Sequence, residues 1–249
     1  MNAILYVAGR ALRMGEHTLD RPKGLLEFGG QSLLERHVML LARLRVPKLF
    51  VVTGHLREQL QAAFPQLQSR YGVELVEMFN ADFAEGSALS MHVSLPALES
   101  VRDGVLLMDG DVLYDLRILQ RLVASPHRTA LLVDRGYSTA DDDPVLVPMR
   151  NGKPFDFVKK WRGEADSTGE SVGFFKVAAA DLPLLIAETK ARITGSGRAA
   201  SYDAILRVLV KGGRFGAVDV TGVPWTEIDF PADLEYASRV ILPTLETGG

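Results

Sequence analysis

The 249-residue chain contains no cysteine. This absence excludes disulfide bonds, thiolate nucleophiles and zinc sites with sulfur ligands. The chain has only five histidines, and none of them stands in the H-E-x-x-H spacing of zinc hydrolases. The sequence therefore offers neither a thiol site nor a histidine-based metal motif.

Long apolar runs and a large excess of one charge sign are also missing. No apolar stretch approaches the roughly 18 residues that a membrane-spanning helix needs. The N-terminus is apolar only from Ala3 to Ala8 and has no basic lead-in, unlike a secretory signal peptide. The formal net charge of −3 argues against a surface that coats nucleic acid. We therefore expect a soluble, cytoplasmic protein with no membrane or nucleic-acid partner, and a homodimer is left open.

Short apolar runs alternate with longer amphipathic ones along the first half of the chain. Strands are predicted at 3–8, 48–54, 73–78, 104–114 and 129–134, and helices at 32–44, 56–64, 87–99 and 116–124. Such alternation is typical of a parallel sheet with helices on both faces. The second half is more irregular, with a hairpin at 143–161, strands at 173–177 and 215–220, and helices at 179–191, 199–211 and from about residue 231. We predict one α/β domain over residues 1–249, with a Rossmann-like, mixed but mainly parallel sheet flanked by helices.

The loop after the first strand is basic, although the chain is acidic overall. The stretch "YVAGRALRMGEHTLDRPKGLL", residues 6–26, contains Arg10, Arg13, Arg21 and Lys23. Gly9 lets backbone N–H groups approach an anion, and Pro22 fixes the backbone just before Lys23. The standard glycine-rich phosphate patterns are absent. We favour an anion-binding loop, with an ordinary basic surface loop as the alternative.

Acidic residues mark two further positions. In "LLMDGDVLYD", Asp109 and Asp111 end a buried apolar strand and face the same side while the strand lasts. In "PWTEIDFPADLEYA", Asp229 precedes a helix that begins near Pro231. Paired carboxylates suit a hard divalent cation that also binds substrate phosphates. The alternatives are a strand that ends in a turn for the first pair and a helix-capping arrangement for Asp229.

Taken in order, these features resemble the nucleotidyltransferase superfamily of the GT-A-like α/β type. That superfamily reads roughly Leu-Ala-Ala-Gly-x-Gly-x-Arg and then Pro-Lys-x-Leu-Leu, where this chain has "YVAGRALRM" and "RPKGLLEFGG". The segments "VVTGHLREQL", "MDGDVLY", "GESVGFFKV" and "WTEIDFPADL" look like those of the phosphocholine and aminoethylphosphonate cytidylyltransferase group. "FAEGSALSMHVSLPAL" is also similar to molybdenum-cofactor cytidylyltransferases. One departure is Ala11, where the superfamily has glycine, and it predicts a different loop path around the triphosphate.

The resemblance implies roles for matched residues. The catalytic residues would be Arg13, which would contact the triphosphate, and Lys23, which would stabilise the charge that develops on the α-phosphate. Nucleotide binding would involve Ala8, Gly9, Arg10 and Ser87. A Mg²⁺ cofactor would be held by Asp111 and Asp229, with help from Asp109. Residues 1–134 would form the nucleotide-binding half and residues 135–249 the acceptor-binding half.

The residues leave several acceptor chemistries open. By the resemblance, Lys159 or Lys160 would lie near the acceptor phosphate. A choline head group would call for an aromatic cage, with candidates Trp161, Tyr202 and Trp225. An ethanolamine or aminoethylphosphonate head would prefer a carboxylate, with candidates Glu170 and, in "ADDDP", Asp142 and its two neighbours. The alternatives are core aromatics and, for "ADDDP", a solvated turn.

The implied activity is Mg²⁺-dependent transfer of CMP from CTP, or from another NTP, to a small phosphorylated or phosphonylated alcohol or amine. Pyrophosphate would be the second product. Two alternatives stay open: a sugar-1-phosphate or inositol-1-phosphate nucleotidyltransferase, and an inactive nucleotide-binding regulatory module. The joint presence of two cationic and two metal-type carboxylate residues speaks against the inactive module, because nucleotide binding alone does not need a metal pair.

Overall fold

The computed structural model describes residues 1–137 and 144–245. Its strands are β1 Asn2–Tyr6, β2 Glu27–Phe28, β3 Gln31–Ser32, β4 Lys48–Thr53, β5 Glu74–Phe79, β6 Val105–Asp109, β7 Val112–Tyr114, β8 Ala130–Asp134, β9 Leu146–Arg150, β10 Lys153–Pro154, β11 Ser167–Val177, β12 Gly216–Asp219 and β13 Trp225–Glu227. Its α-helices are α1 Leu33–Arg43, α2 Arg57–Tyr71, α3 Ser87–Val93, α4 Leu95–Ser100, α5 Leu116–Ala124, α6 Leu182–Arg192, α7 Asp203–Lys211 and α8 Pro231–Tyr236.

Nine of the described strands form one sheet. The main path runs β10-β9-β11-β6-β1-β4-β5, while β8 bonds to β11 and β12 bonds to β8. β1 lies between β4 and β6 and is parallel to both, so Ala3 is paired with Leu49 on one side and Leu106 on the other. β11 is antiparallel to β6, β8 and β9. The sheet is therefore mixed, as predicted.

Helices cover both faces of this sheet. Apolar residues of α1, α2 and α5 pack into one core cluster, and those of α3, α4, α6 and α7 pack into a second cluster on the other face. Successive residues of β1, such as Ile4 and Leu5, are therefore fully buried on opposite faces. This explains why the central strands read as continuous apolar runs. Within the described ranges, no helix has the length and apolar character needed to cross a membrane.

Three predicted elements of the first half have different bounds. The strand at 104–114 is divided into β6 and β7 around Gly110, where a Cβ would overlap the side chain of Val7 just after β1. The helix at 87–99 is divided into α3 and α4, since Pro96 cannot continue the hydrogen-bonding pattern of α3. By contrast, α2 continues through Pro65, and Phe64 and Leu67 on either side of it are buried in the core.

The second half supplies the antiparallel strands. The predicted hairpin is confirmed as β9 and β10, with Asn151 (φ 51°) and Gly152 (φ 70°) in the left-handed region that such tight turns need. β11 begins six residues earlier than the strand predicted at 173–177. Its first half consequently reaches the carboxyl end of β8, where Glu170 is paired with Asp134. A carboxylate from β11 is thus brought to the edge of the sheet at which the parallel strands end.

Candidate active site

The candidate active site lies where the parallel strands β1 and β6 end. The predicted basic loop follows β1 and contains two short 3-10 segments, Leu12–Thr18 and Lys23–Leu25. Met14 and Leu26 of this loop are buried in a small apolar cluster together with Ile228, which lies just after β13. This cluster fixes the loop beside the segment that carries Asp229.

A cavity of about 340 Å³ opens at these strand ends, and we call it the central cavity. It brings together nine of the residues predicted from the sequence: Ala8, Gly9, Arg13, Ser87, Asp109, Asp111, Lys159, Tyr202 and Asp229. At Gly9 an added Cβ would meet no atom within 4 Å, so this position faces open space. The residues predicted for nucleotide, metal and acceptor phosphate therefore line one shared space.

Two cations and two carboxylates are paired at one side of this cavity: Arg13, Asp111 and Asp229 line it, and Lys23 lines the neighbouring cavity that shares these three residues. The Lys23 ammonium lies 3.0 Å from Asp111 Oδ2 and 2.8 Å from Asp229 Oδ1. Arg13 Nη2 donates to the other oxygen of Asp229 at 2.7 Å. Burial lowers the pKa of Lys23, but the charges of Asp111 and Asp229 outweigh it and raise the pKa above its ordinary value. For Asp229, burial opposes ionisation, while Lys23 and Arg13 lower its pKa below the ordinary value.

The two carboxylates face each other because their strands are paired. β7 and β13 form an antiparallel ribbon in which Val112 is opposite Glu227. The ribbon is extended by a hydrogen bond of 2.9 Å from the Ile228 amide to the Asp111 carbonyl. The backbone amide of Asp229 donates to Asp233 in the first turn of α8 at 2.8 Å. The backbone of Asp229 therefore takes part in the cap of α8, while its side chain contacts Lys23.

The Asp111 and Asp229 carboxylates also fit the predicted Mg²⁺ site. Oxygens of both contact the same ammonium ion, so a cation at that point is within reach of both side chains. Within residues 1–137 and 144–245 there is no group of three or more histidine, cysteine, aspartate or glutamate side chains placed to hold a metal. Mg²⁺ commonly takes one or two carboxylates and completes its shell with water and substrate phosphates. A two-carboxylate site is therefore sufficient for this ion.

Asp109 has a different environment from the other two aspartates. The Tyr202 hydroxyl lies 2.5 Å from each of its carboxylate oxygens. Burial is the main cause that raises the pKa of Asp109 well above its usual range, and the charge of Asp111 adds to it. Gly173 makes room for this arrangement, because a Cβ there would overlap the Asp109 carboxylate. The contact with Tyr202 does not support the predicted metal-binding role for Asp109, which stays a prediction, nor a cage role for Tyr202.

A second cavity of about 450 Å³ adjoins the first, and we call it the side cavity. It contains the predicted acceptor residues Glu170 and Trp225. The indole N–H of Trp225 donates to Asp134 Oδ2 at 2.8 Å. Its lining is rich in carboxylates and aromatic rings, which are Asp134, Glu170, Glu227, Asp229, Asp233, Tyr137, Trp225, Phe230 and Tyr236. Such a surface suits a cationic group.

Glu227 is a site residue that the sequence reasoning missed. It lines both cavities, and burial, followed by the charges of Asp111 and Asp229, raises the pKa of its carboxyl well above the ordinary range. A signal was available, because Glu227 and Asp229 stand two residues apart at the end of a short strand. Asp134 was likewise identifiable as the last residue of β8. The aromatic members Phe230 and Tyr236 gave no such signal.

Several predicted residues lie elsewhere or have another local role. Arg10 lines a neighbouring cavity of about 410 Å³ together with Arg13 and Lys23, and its guanidinium lies 5.9 Å from the ring centre of Phe83. Lys160 is exposed and is not one of the described residues that line the central cavity. Ser87 is the first residue of α3, and its hydroxyl accepts a hydrogen bond from the Tyr202 amide at 3.0 Å.

Two further expectations concern loops. Asp142 and its neighbours in "ADDDP" lie outside the described residues. Ala11 has φ 50° and ψ 46°, in the left-handed region that glycine enters without steric cost. The loop therefore has a glycine-type conformation at this position, and the expected change of path stays a prediction.

The fold and the site define a nucleotidyltransferase-type α/β protein, and comparison with known proteins gives its family. Residues 3–167 match the family described as the MobA-like NTP transferase domain, and the chain belongs to that family. The predicted resemblance to nucleotidyltransferases is thereby confirmed. The inositol-1-phosphate CTP transferase of T. maritima superposes with a TM-score of 0.75 at 21% identity, over 98% of this chain and 97% of that one. This likeness confirms the predicted fold class.

Curated relatives cover nearly the whole chain. The CMP-5'-(3-aminopropyl)phosphonate synthase of Streptomyces rubellomurinus is 28% identical over 99% of this chain and 40% of its own length. The CTP:phosphoglutamine cytidylyltransferase of Campylobacter jejuni is 23% identical over 94% of this chain and 98% of its own length. The chain thus spans about half or less of the first relatives that it matches, and nearly all of the Campylobacter protein.

Proposed function

We propose that this protein transfers CMP from CTP to a small phosphorylated or phosphonylated compound that carries an amine, in a Mg²⁺-dependent reaction that releases pyrophosphate. One observation carries the proposal. The central cavity, with its cations and metal-type carboxylates, shares Glu227 and Asp229 with the acidic and aromatic side cavity. A nucleotide in the first cavity and an amine-bearing acceptor in the second would therefore meet beside Asp229.

The triphosphate of the nucleotide would lie where the central cavity meets the neighbouring cavity that Arg13 and Lys23 line. In the structure these cations are paired with Asp229 and Asp111. A triphosphate supplies negative charge that can replace these partners, and Asp111 and Asp229 would be the residues that hold Mg²⁺. Exchange of this kind keeps every charge compensated, because each cation and each carboxylate gains a new partner as it loses the old one.

The chemistry needs no covalent intermediate. An oxygen of the acceptor phosphate or phosphonate attacks the α-phosphorus of CTP, a new P–O bond forms, and the bond to the bridging oxygen of pyrophosphate breaks. Because the acceptor oxygen is already anionic near neutral pH, no general base is required. Lys23 and Arg13 would stabilise charge on the transferring phosphoryl group, and bound Mg²⁺ would supply further electrostatic stabilisation. Lys159, which lines the central cavity, would offset the negative charge of the acceptor.

The choice of an amine rests on the side cavity. Asp229 is paired with Arg13 and Lys23, and burial raises the pKa of Glu227, so the acidic character of this cavity comes mainly from Asp134, Glu170 and Asp233. These carboxylates would attract an ammonium group and repel a second anion. Trp225 and the neighbouring rings add faces that favour a cation. The names of the relatives from Streptomyces and Campylobacter include an aminated phosphonate and phosphoglutamine, which supports this class of acceptor. The names of these relatives and of the T. maritima enzyme also contain CTP or CMP, which supports CTP as the nucleotide substrate.

Pyrophosphate release tests the proposal. The four NTPs with Mg²⁺ should be crossed with phosphocholine, phosphoethanolamine, 2-aminoethylphosphonate, inositol-1-phosphate and glucose-1-phosphate. We expect release with CTP and at least one amine-bearing acceptor. Release only with the inositol or sugar phosphate would contradict the amine assignment and favour the alternative acceptor class. No release with any pair, despite CTP binding by calorimetry, would favour an inactive nucleotide-binding module.

The two predicted halves form one structural unit in this proposal. The main sheet takes strands from both 1–134 and 135–249, and each of the two cavities is lined by residues from both halves. A single domain, with nucleotide on one side of Asp229 and acceptor on the other, accounts for this organisation.

A further inference from the structure

We infer that the ion pair between Asp156 and Arg207 positions Lys159 for the phosphate or phosphonate group of the acceptor. The inference rests on the proposed function, because it assumes that such an acceptor binds beside Lys159. Neither Asp156 nor Arg207 is among the described residues that line the central or the side cavity. Both are therefore positioning residues, which act through Lys159 and do not touch the substrate themselves.

Lys159 lies at the central cavity without the support of a helix or a strand. It belongs to the segment 155–161, which follows β10 and has neither kind of element. Its side chain is exposed, yet it lines the central cavity. Burial opposes the ionisation of Asp229, and the charge of Lys159 is among those that nevertheless lower the pKa of this carboxyl. Because a lysine side chain is long and flexible, its reach into the cavity depends on how firmly its backbone is held.

Two contacts hold this segment against the sheet. The Val158 amide donates to the Leu146 carbonyl at 3.0 Å, and the Leu146 amide donates to the Val158 carbonyl at 2.7 Å. The Phe157 side chain is buried, and its ring meets that of Phe175 edge-on with 5.8 Å between the ring centres. The backbone just before Lys159 is thus fixed to β9 and β11.

The ion pair joins the same segment to α7. Arg207 Nε donates to Asp156 Oδ1 at 2.6 Å, and Arg207 Nη2 donates to Asp156 Oδ2 at 2.9 Å. The Asp156 side chain is only 9% exposed, and a two-point contact of this kind fixes the relative orientation of both groups. α7 begins at Asp203, which lines the central cavity together with Tyr202. The pair therefore ties the segment that carries Lys159 to a helix that forms part of the cavity wall.

The geometry of the pair, rather than its charge, gives it this role. The opposite charges of the two side chains compensate each other, so the intact pair contributes little field at the cavity. A substitution that keeps both charges but loses the planar two-point contact should therefore still disturb Lys159. Arg207→Lys is such a change, because an ammonium group is a point charge on a flexible stem.

The experiment is a double-mutant cycle on kcat/KM for 2-aminoethylphosphonate, or for whichever acceptor of the same panel supports pyrophosphate release, at saturating CTP and Mg²⁺. We expect Lys159→Met to lower this value roughly tenfold to a hundredfold, since a charge-assisted contact with the acceptor is lost. Asp156→Asn and Arg207→Lys should each lower it about threefold to tenfold through a higher acceptor KM, with the KM for CTP unchanged. In the Lys159→Met background, neither change should lower it further by more than about twofold.

The control keeps the same kind of contact at a distance from the site. Glu35 is also a largely buried carboxylate, 15% exposed, that pairs with a half-exposed arginine, Arg70, and it lines neither cavity. Glu35→Gln should leave kcat/KM for both substrates unchanged. If Asp156→Asn does not fold, Arg207→Lys completes the cycle alone, because it keeps a cation beside the buried carboxylate.

The cycle separates positioning from a general effect on the fold. Losses that multiply in full when they are combined with Lys159→Met would show that the pair does not act through Lys159, and would overturn the inference. An equal rise in the KM for CTP, or an unchanged acceptor KM in Arg207→Lys, would overturn it as well, while leaving CMP transfer in place. No pyrophosphate release by the unaltered protein with any acceptor of the panel would overturn the proposed function, and this inference with it.

Discussion

Replacement of Lys23 by methionine removes the cation that bridges the two candidate metal carboxylates. The Lys23 side chain is only 14% exposed and lies within 3.0 Å of both carboxylates. At an effective dielectric constant of about 20, a unit charge at about 4 Å contributes about 4 kcal/mol. If most of that acts on charge that develops at the α-phosphate, the barrier rises by about 3 to 4 kcal/mol. We therefore expect Lys23→Met to lower kcat by about a hundredfold or more.

Steady-state pyrophosphate release at saturating CTP, Mg²⁺ and acceptor measures this effect. Lys190→Met is the matched control, because Lys190 forms an exposed ion pair with Glu99 on the helical surface and should keep normal turnover. Thermal unfolding gives a second readout. Without the Lys23 ammonium, Asp111 and Asp229 repel each other, so Mg²⁺ alone should raise the Tm of Lys23→Met more than that of the unaltered protein. A kcat within threefold of normal, or an equal loss in Lys190→Met, would refute the assigned role.

Three other predictions follow from the same geometry. Asp111→Asn and Asp229→Asn should each lower kcat by about a hundredfold and raise the Mg²⁺ concentration needed for half-maximal rate, as a Mg²⁺ titration will show; an unchanged titration curve would remove that residue from the metal site. Burial lowers the pKa of His37 to about 4, so the folded protein holds this ring neutral while the unfolded chain takes up a proton below about pH 6.5. The free energy of unfolding should consequently fall by about 3 kcal/mol between pH 6.5 and pH 4, as urea-unfolding curves will show. His37→Leu should lack this component, and an identical pH dependence of the free energy of unfolding in both proteins would contradict the prediction. Glu170→Gln and Trp225→Phe should raise the KM for an amine-bearing acceptor by about tenfold but leave the KM for CTP unchanged, and an equal effect on an acceptor with a hydroxyl in place of the amine would argue against cation binding.

Elements with a strong local signal were predicted well. The predicted and observed bounds of α5 are identical, and β1, β4 and β8 differ from their predictions by no more than two residues at either end. Their apolar period and their flanking turn residues act locally, within a few positions. The division at Gly110 was not predictable in the same way. Gly110 packs closely against Val7, which is about a hundred residues away in sequence, and β7 after the division leaves the main sheet to pair with β13.

The candidate site shows the same limit. Motif spacing found Arg13, Lys23, Asp111 and Asp229, and the structure links all four by three ion pairs. Their convergence depends on the β7–β13 ribbon, which joins residues more than a hundred positions apart. Two other features of the site could not be found from motif spacing.

The first of those features is the contact of Tyr202 with Asp109, which requires α7 to pack beside the end of β6. The second is the aromatic wall of the side cavity, where Phe230 and Tyr236 come from the start and the end of α8. Side chains of this kind are recognised only when the elements that carry them have been placed, because an isolated aromatic residue is more often part of a core.

Product identification gives the most direct test of the central claim. The protein should be incubated with CTP, Mg²⁺ and 2-aminoethylphosphonate, with phosphoethanolamine in a parallel sample, and the mixture followed by phosphorus NMR. The account predicts equal amounts of free pyrophosphate and of a new species in which CMP is joined to the acceptor through a phosphorus–oxygen–phosphorus linkage. CTP that stays intact with both amines, while inositol-1-phosphate or glucose-1-phosphate yields such an adduct, would contradict the account.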